Sequence, residues 1–168
     1  MIDFTPLFRP GFVRLARRTD RWGADSADIQ LGVLRSLLAK GAKTEYGRRY
    51  GFHDILASAE VASAYASRVP LVEYEDIRGE VMRMIRGESD VLWPGRCRDY
   101  AQSSGTSGGK SKFIPITRSS LDGNHYRGGA DAVAHYLRQV PESRIFSGKA
   151  FILGGSFSNT LGFETPGV

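Results

Sequence analysis

"SSGTSGGKSKFIP", Ser103 to Pro115, is the densest cluster of small hydroxyl residues, glycines and lysines in the chain. From Ser103 to Gly109 there is no bulky side chain, and three positions are glycine. Glycines let consecutive backbone N–H groups turn toward a common point, hydroxyls add donors, and the nearby Lys110 and Lys112 supply positive charge. That is the equipment a polyphosphate requires. The same composition also suits a plain surface connection. Its surroundings favour the first reading. "VLWPGRCRDYAQ" before it reads as a short extended approach, "KFIPIT" after it reads as a strand, and the loop joins the two. Pro115 marks that strand as an edge or a bulge.

Working outward, the chain is helical before the loop. "SADIQLGVLRSLLAKG" carries Ile29, Val33, Leu34, Leu37 and Leu38 at helical spacing and stops at Gly41. Thr44, Glu45 and Tyr46 fall in a short segment ending at Gly51. "SAEVASAYASRVP" is a shorter helix that must end before Pro70. "VEYEDIRGEVMRMIRG" is a third, with Tyr74, Ile77, Val81, Met84 and Ile85 on one apolar face and Gly87 closing it. After the loop, Ser119 or Ser120 caps a long helix running to about Val140. On it Tyr126, Ala130, Val133, Ala134 and Leu137 share a face, and Tyr126 reads as a core aromatic. "KAFILGG" gives the strongest strand signal. The pattern is α/β, helical at the amino end with strands around the loop, and it reads as the opening of a larger domain.

Composition narrows the function classes. The chain has 168 residues, 41% of them hydrophobic, enough for a core of its own. Its formal net charge of +5 is concentrated near Arg9, Arg14, Arg17, Arg18 and Arg21. No aromatic platform or recognition helix accompanies that basic arm, so nucleic acid is not an expected partner. The arm is expected in solvent or against an acidic surface of a missing part. No run approaches the roughly 18 apolar residues of a membrane span, and "MIDFTPLFRPGF" lacks the pattern of a signal peptide. A single cysteine, Cys97, excludes an internal disulfide and suits a cytoplasmic location. His53, His125 and His135 have no metal-ligand spacing, and no metal site is expected within the chain.

Two nucleotide loops are written almost this way. The P-loop, G-x-x-x-x-G-K-[ST], is matched by Gly109, Lys110 and Ser111, but Ser104 stands where its first glycine belongs. A P-loop also runs directly into a helix, whereas "KFIPIT" is strand-like. The other is the phosphate loop of adenylate-forming enzymes, a Ser/Thr/Gly-rich turn between strands followed by a lysine. Ser103-Ser104-Gly105-Thr106-Ser107-x-Gly109-x-x-Lys112 resembles the signature of the GH3 acyl acid–amido synthetases, a family named for auxin-responsive plant proteins and also found in bacteria. "LLAKGAKTEYGRRYGF", "VPLVEYEDIRGEVMRMIRGESDVLWPG" and "KFIPIT" resemble the segments that flank that signature, in the same order.

The resemblance implies a fold and a chemistry. Residues 1–168 would be an amino-terminal fragment of a large adenylation domain, with no complete second domain. A small carboxylic acid would be adenylated by ATP and passed to an amino acid as an amide. Ser103, Ser104, Gly105, Thr106, Ser107, Gly108 and Gly109 would cradle the phosphates, with Lys112 as the catalytic lysine and Lys110 at a variable position. Mg2+ would accompany ATP on ligands outside this chain, and the missing carboxyl-terminal part of the enzyme would be a partner. Asn124, Tyr126 and Arg127 are candidates for an acyl pocket, and Arg98 and Tyr100 for flanks of the phosphates. The alternative is a truncated, non-catalytic module that binds a nucleotide or a protein.

Overall fold

The computed structural model describes residues 2–103 and 112–149. These fall into two compact units, one built from residues 2–26 and 118–149, the other from residues 27–117. The loop residues Ser104 to Ser111 lie outside the described residues, as does the expected strand "KAFILGG" beyond Lys149.

The first unit pairs two segments that are far apart in the sequence. Helix α1 (Thr5–Ala16) starts with Pro6 in its first turn, where a missing N–H costs nothing, and carries Pro10 further in. A 3-10 turn (Arg17–Arg21) leads into α2 (Trp22–Gly41), whose first residues belong to this unit. From the other segment come α7 (Arg118–Ser120), a π-helical turn (Leu121–His125) and α8 (Tyr126–Gln139). α1 packs on α8, and Thr5, Ala16, Ala134 and Leu137 are buried. The tail after α8 returns along α1, placing the Phe146 ring against Phe8 and Phe12 at centroid distances of 5.5 and 5.7 Å.

Arg9, read from sequence as part of a basic arm in solvent or against an acidic surface of a missing part, is a structural cap. Its guanidinium donates to the carbonyls of Leu137 at 2.7 Å, Val140 at 3.2 Å and Ser143 at 2.9 Å. These include carbonyls at the end of α8, where unpaired acceptors and the helix dipole both favour a cation. Tyr126 differs from expectation as well. It is 59% exposed, so the core face of α8 is carried by Ala134 and Leu137 instead.

The second unit contains the remaining elements. α2 continues to Gly41 and is followed by α3 (Glu45–Arg49), α4 (Phe52–Ala57), α5 (Val61–Arg68) and α6 (Tyr74–Ile85). Strands β1 (Asp99–Ser103) and β2 (Lys112–Ile116) form an antiparallel pair. Leu38, Ile55 and Val61 make one buried cluster, flanked by Leu34, Phe52 and Tyr65. Of the apolar stripe foreseen on α2, only Leu38 is buried; Ile29, Val33 and Leu37 are exposed. A helix with so wide an apolar face exceeds what the short α4 and α5 can cover.

Thr44 sets the turn between α2 and α3. It is buried, its hydroxyl donates to the Gly41 carbonyl at 2.7 Å, and its Oγ1 accepts the Gly47 N–H at 2.9 Å. The next amides, Glu45 and Tyr46, donate to the carbonyls of Asp90 and Val91 at 2.7 and 3.0 Å. The orphan donors at the start of α3 are thereby used to hold the segment after α6. Gly47 permits this crossing, since a Cβ there would stand 2.0 Å from the Gly41 carbonyl oxygen.

Candidate functional site

The site is built where α6 meets the strand pair. Glu73 lies just before α6, and its N–H donates to Asp76 Oδ2 at 2.8 Å, fixing the first turn. Tyr74, the first residue of α6, is thereby held in place. Val81, Met84 and Ile85 are buried at the other end of the helix. Gly87 follows with φ +96°, in the left-handed region that ends a helix at glycine. Met84 then forms a second cluster with Val91 and Cys97, against which Leu92, Trp93 and Tyr100 pack. Tyr100 thus turns into the core, and its hydroxyl donates to the Cys97 carbonyl at 3.3 Å. Burial raises the proton affinity of the Tyr100 phenol and of the Cys97 thiol. Tyr100 is therefore a packing residue, and Arg98 stands exposed beside it.

The register of the strands places the ends of the loop. Asp99 pairs with Ile116, Tyr100 with Pro115, Ala101 with Ile114, Gln102 with Phe113 and Ser103 with Lys112. Ser103 and Lys112 are therefore opposite each other at the mouth of residues 104–111. The Phe113 N–H donates to Tyr74 Oη at 2.9 Å, so it points out of the two-strand ladder. Alternation gives Pro115, two residues on, the same outward position, where the ladder requires no N–H. The proline expected at an edge or a bulge is accommodated as an edge residue.

Lys112 is exposed, and its ammonium lies 5.7 Å from the centroid of the Tyr74 ring. Among the described residues no carboxylate lies within 4.0 Å of it. An aromatic face holds a cation without neutralising it, so this lysine remains available to an anion. Lys112 also opens a strand, and the next helix begins only at Arg118. Among the described residues that follow Lys110, Lys112–Ile116 are a strand and not the helix that a P-loop needs directly after its lysine.

Of the sequence-derived site residues, Ser103 and Lys112 are brought together across the strand pair. Ser104, Gly105, Thr106, Ser107, Gly108 and Gly109 lie outside the described residues. Asn124, Tyr126 and Arg127 are exposed on the first unit. Tyr74 was legible as one member of an apolar helix face and as part of a family-like segment, but nothing in its own neighbourhood signalled its bond to a strand 39 residues later. Among the described residues there is no group of three His, Cys, Asp or Glu side chains that could hold a metal ion. No described helix is long and apolar enough to cross a membrane.

Residues 16–160 match the GH3 family N-terminal domain. The chain belongs to the GH3 family. It is 39% identical over 121 residues to the probable indole-3-acetic acid-amido synthetase GH3.7 of Oryza sativa subsp. japonica, covering 70% of this chain and 20% of that protein. It is 35% identical over 96 residues to the indole-3-acetic acid-amido synthetase GH3.6 of Arabidopsis thaliana, covering 56% of this chain and 15% of that one. Among solved structures it resembles the acyl acid amido synthetase AtGH3.15 in complex with 2,4-DB. That match has a TM-score of 0.63 and 27% identity, and covers 82% of this chain and 23% of the other. This GH3 chain spans about a fifth or less of the length of these curated relatives.

Proposed function

We propose that residues 1–168 are the amino-terminal part of the adenylation domain of an acyl acid–amido synthetase. In this reading Ser103 to Gly109 bind the phosphates of ATP, and Lys112 is the catalytic lysine. Carboxylates do not react with amines at useful rates in water, so the acid must first acquire a leaving group. An acid oxygen attacks the α-phosphorus, the bond to the β-phosphate bridge breaks, and pyrophosphate leaves. The amine of an amino acid then attacks the acyl carbon, loses a proton, and expels AMP to leave an amide. The protein's contribution is position and charge. Hydroxyls of Ser104, Thr106 and Ser107 and the N–H groups of Gly105, Gly108 and Gly109 would meet phosphate oxygens, with Lys112 offsetting charge that develops there. Mg2+ would be bound by residues outside this chain, and the enzyme would act in the cytoplasm.

The observation that carries the reading is the pairing of Ser103 with Lys112 across two antiparallel strands, in a chain of the GH3 family. It puts the signature's first serine and its lysine at one mouth. The test is ATP–pyrophosphate exchange over a panel of aryl and aliphatic acids, using a protein in which this chain is continued to the length of its relatives. Exchange that depends on one class of acid is expected. Silence with every acid in a folded protein would overturn the reading. ATP binding without exchange would instead favour a nucleotide-binding module.

A further inference from the structure

We propose that Tyr74 is the positioning residue for Lys112, which deepens the adenylation reading and rests on it. Two contacts made by one side chain carry this. The Tyr74 hydroxyl accepts the Phe113 N–H at 2.9 Å, and the Tyr74 ring underlies the Lys112 ammonium at 5.7 Å from its centroid. The first contact fixes the backbone immediately after the lysine. The second gives its long, flexible side chain a preferred place to rest.

The choice of partner matters chemically. A carboxylate beside Lys112 would compete with phosphate for the same cation. A neutral ring attracts the ammonium through its quadrupole, keeps the charge intact, and gives it up for a modest cost. A phenol also serves both contacts at once, since ring and oxygen sit at opposite ends of its reach. Tyr74 in turn is anchored by the first turn of α6, and α6 by the cluster around Met84. The lysine is thus referenced to the core of its own unit through a single aromatic side chain.

The test uses the 168-residue chain with sodium tripolyphosphate as probe, titrated against the wild type, Y74F, Y74L, K112M and Y74L/K112M. Wild type is expected to bind, and Y74L to weaken binding by about two- to fivefold. The same Y74L change in the K112M background should cost nothing more, because the residue acts through the lysine. Y74F keeps the ring and loses the acceptor, so its Phe113 amide should exchange with solvent faster while the Lys112 methylenes retain their ring-current shift. Equal losses from Y74L with and without Lys112 would overturn the positioning role and leave the phosphate site standing. Absence of binding in the wild type would overturn the phosphate site and, with it, the role of Tyr74. Should Y74L fail to fold, Y74F decides: an unchanged Phe113 amide, or Lys112 methylenes without a ring-current shift, would overturn the proposal.

Discussion

The Glu45 carboxylate stands 2.6 Å from an Arg83 guanidinium nitrogen, and this pair ties α3 to α6, the helix that begins at Tyr74. Arg83 also bonds Glu88, while Arg49 bridges Glu45 at 2.8 Å and Glu80 at 2.9 Å. The hydrogen bond from Arg83, more than any other contact, holds the Glu45 and Glu88 carboxyls below their ordinary range.

A pH dependence follows from the sign of those shifts. A carboxyl depressed in the folded state stabilises the fold above its unfolded value, near pH 4.5 for glutamate, and the contribution is lost as pH falls through the lower folded value. Thermal midpoints measured from pH 7 to pH 3 should fall at the acid end, and E45Q should flatten that fall. An identical acid profile for E45Q would remove this network from the account. The groups are partly or fully exposed, so the effect will shrink in high salt.

Lys112 and Lys110 offer a direct comparison within the proposed site. In the GH3 arrangement, K112A in the extended protein should lose roughly 1.5–3 kcal/mol of charge-assisted interaction, about tenfold or more in ATP affinity or exchange rate. K110A should change little at equal salt. A larger loss from K110A would revive the P-loop assignment, and equal small losses would favour an ordinary connection.

Two glycines separate crowding from helix propensity. Gly47→Ala drives a methyl into the Gly41 carbonyl, 2.0 Å from the position of its carbon, and is expected to destabilise by about 1–3 kcal/mol or more. Gly79, within α6, has nothing within 4 Å of the same position. Gly79→Ala should stabilise by roughly 0.5–1 kcal/mol. Urea denaturation of both variants checks the pair, and a neutral G47A would contradict the close crossing.

Cys97 should be a slow thiol. It is buried, and desolvation raises its pKa. Alkylation by iodoacetamide at pH 8 is expected to run at least about tenfold slower in the native chain than in urea. Equal rates would show that the cluster with Met84 and Val91 opens readily.

The sequence was most legible where one element answers to local chemistry. The stop at Gly41, the run from Tyr74 to Ile85 and the strand from Lys112 were all readable from periodicity, glycine and proline. α4 was missed because Gly51, read as an end, has φ +66° and starts the next helix instead. α1 was missed because its arginines and prolines mask an apolar side whose partners, Leu137 and Phe146, lie far along the chain. In the candidate site the mouth formed by Ser103 and Lys112 was implied by strand, loop and strand. The Tyr74 contacts were not, since a hydroxyl bonded to a distant amide leaves no local pattern.

The pairing of α1 with α8 also has a consequence for biosynthesis. Arg9 and Leu137 are 128 positions apart, with residues 27–117 of the second unit encoded between them. At about 5–20 residues per second, α1 leaves the ribosome on the order of ten seconds before its partner helix exists. The second unit's clusters draw on nearby segments and can close while synthesis continues. Through that interval α1 carries Phe8 and Phe12 without the Phe146 ring that they meet in the folded unit, so a chaperone is expected to act on this segment of the nascent chain.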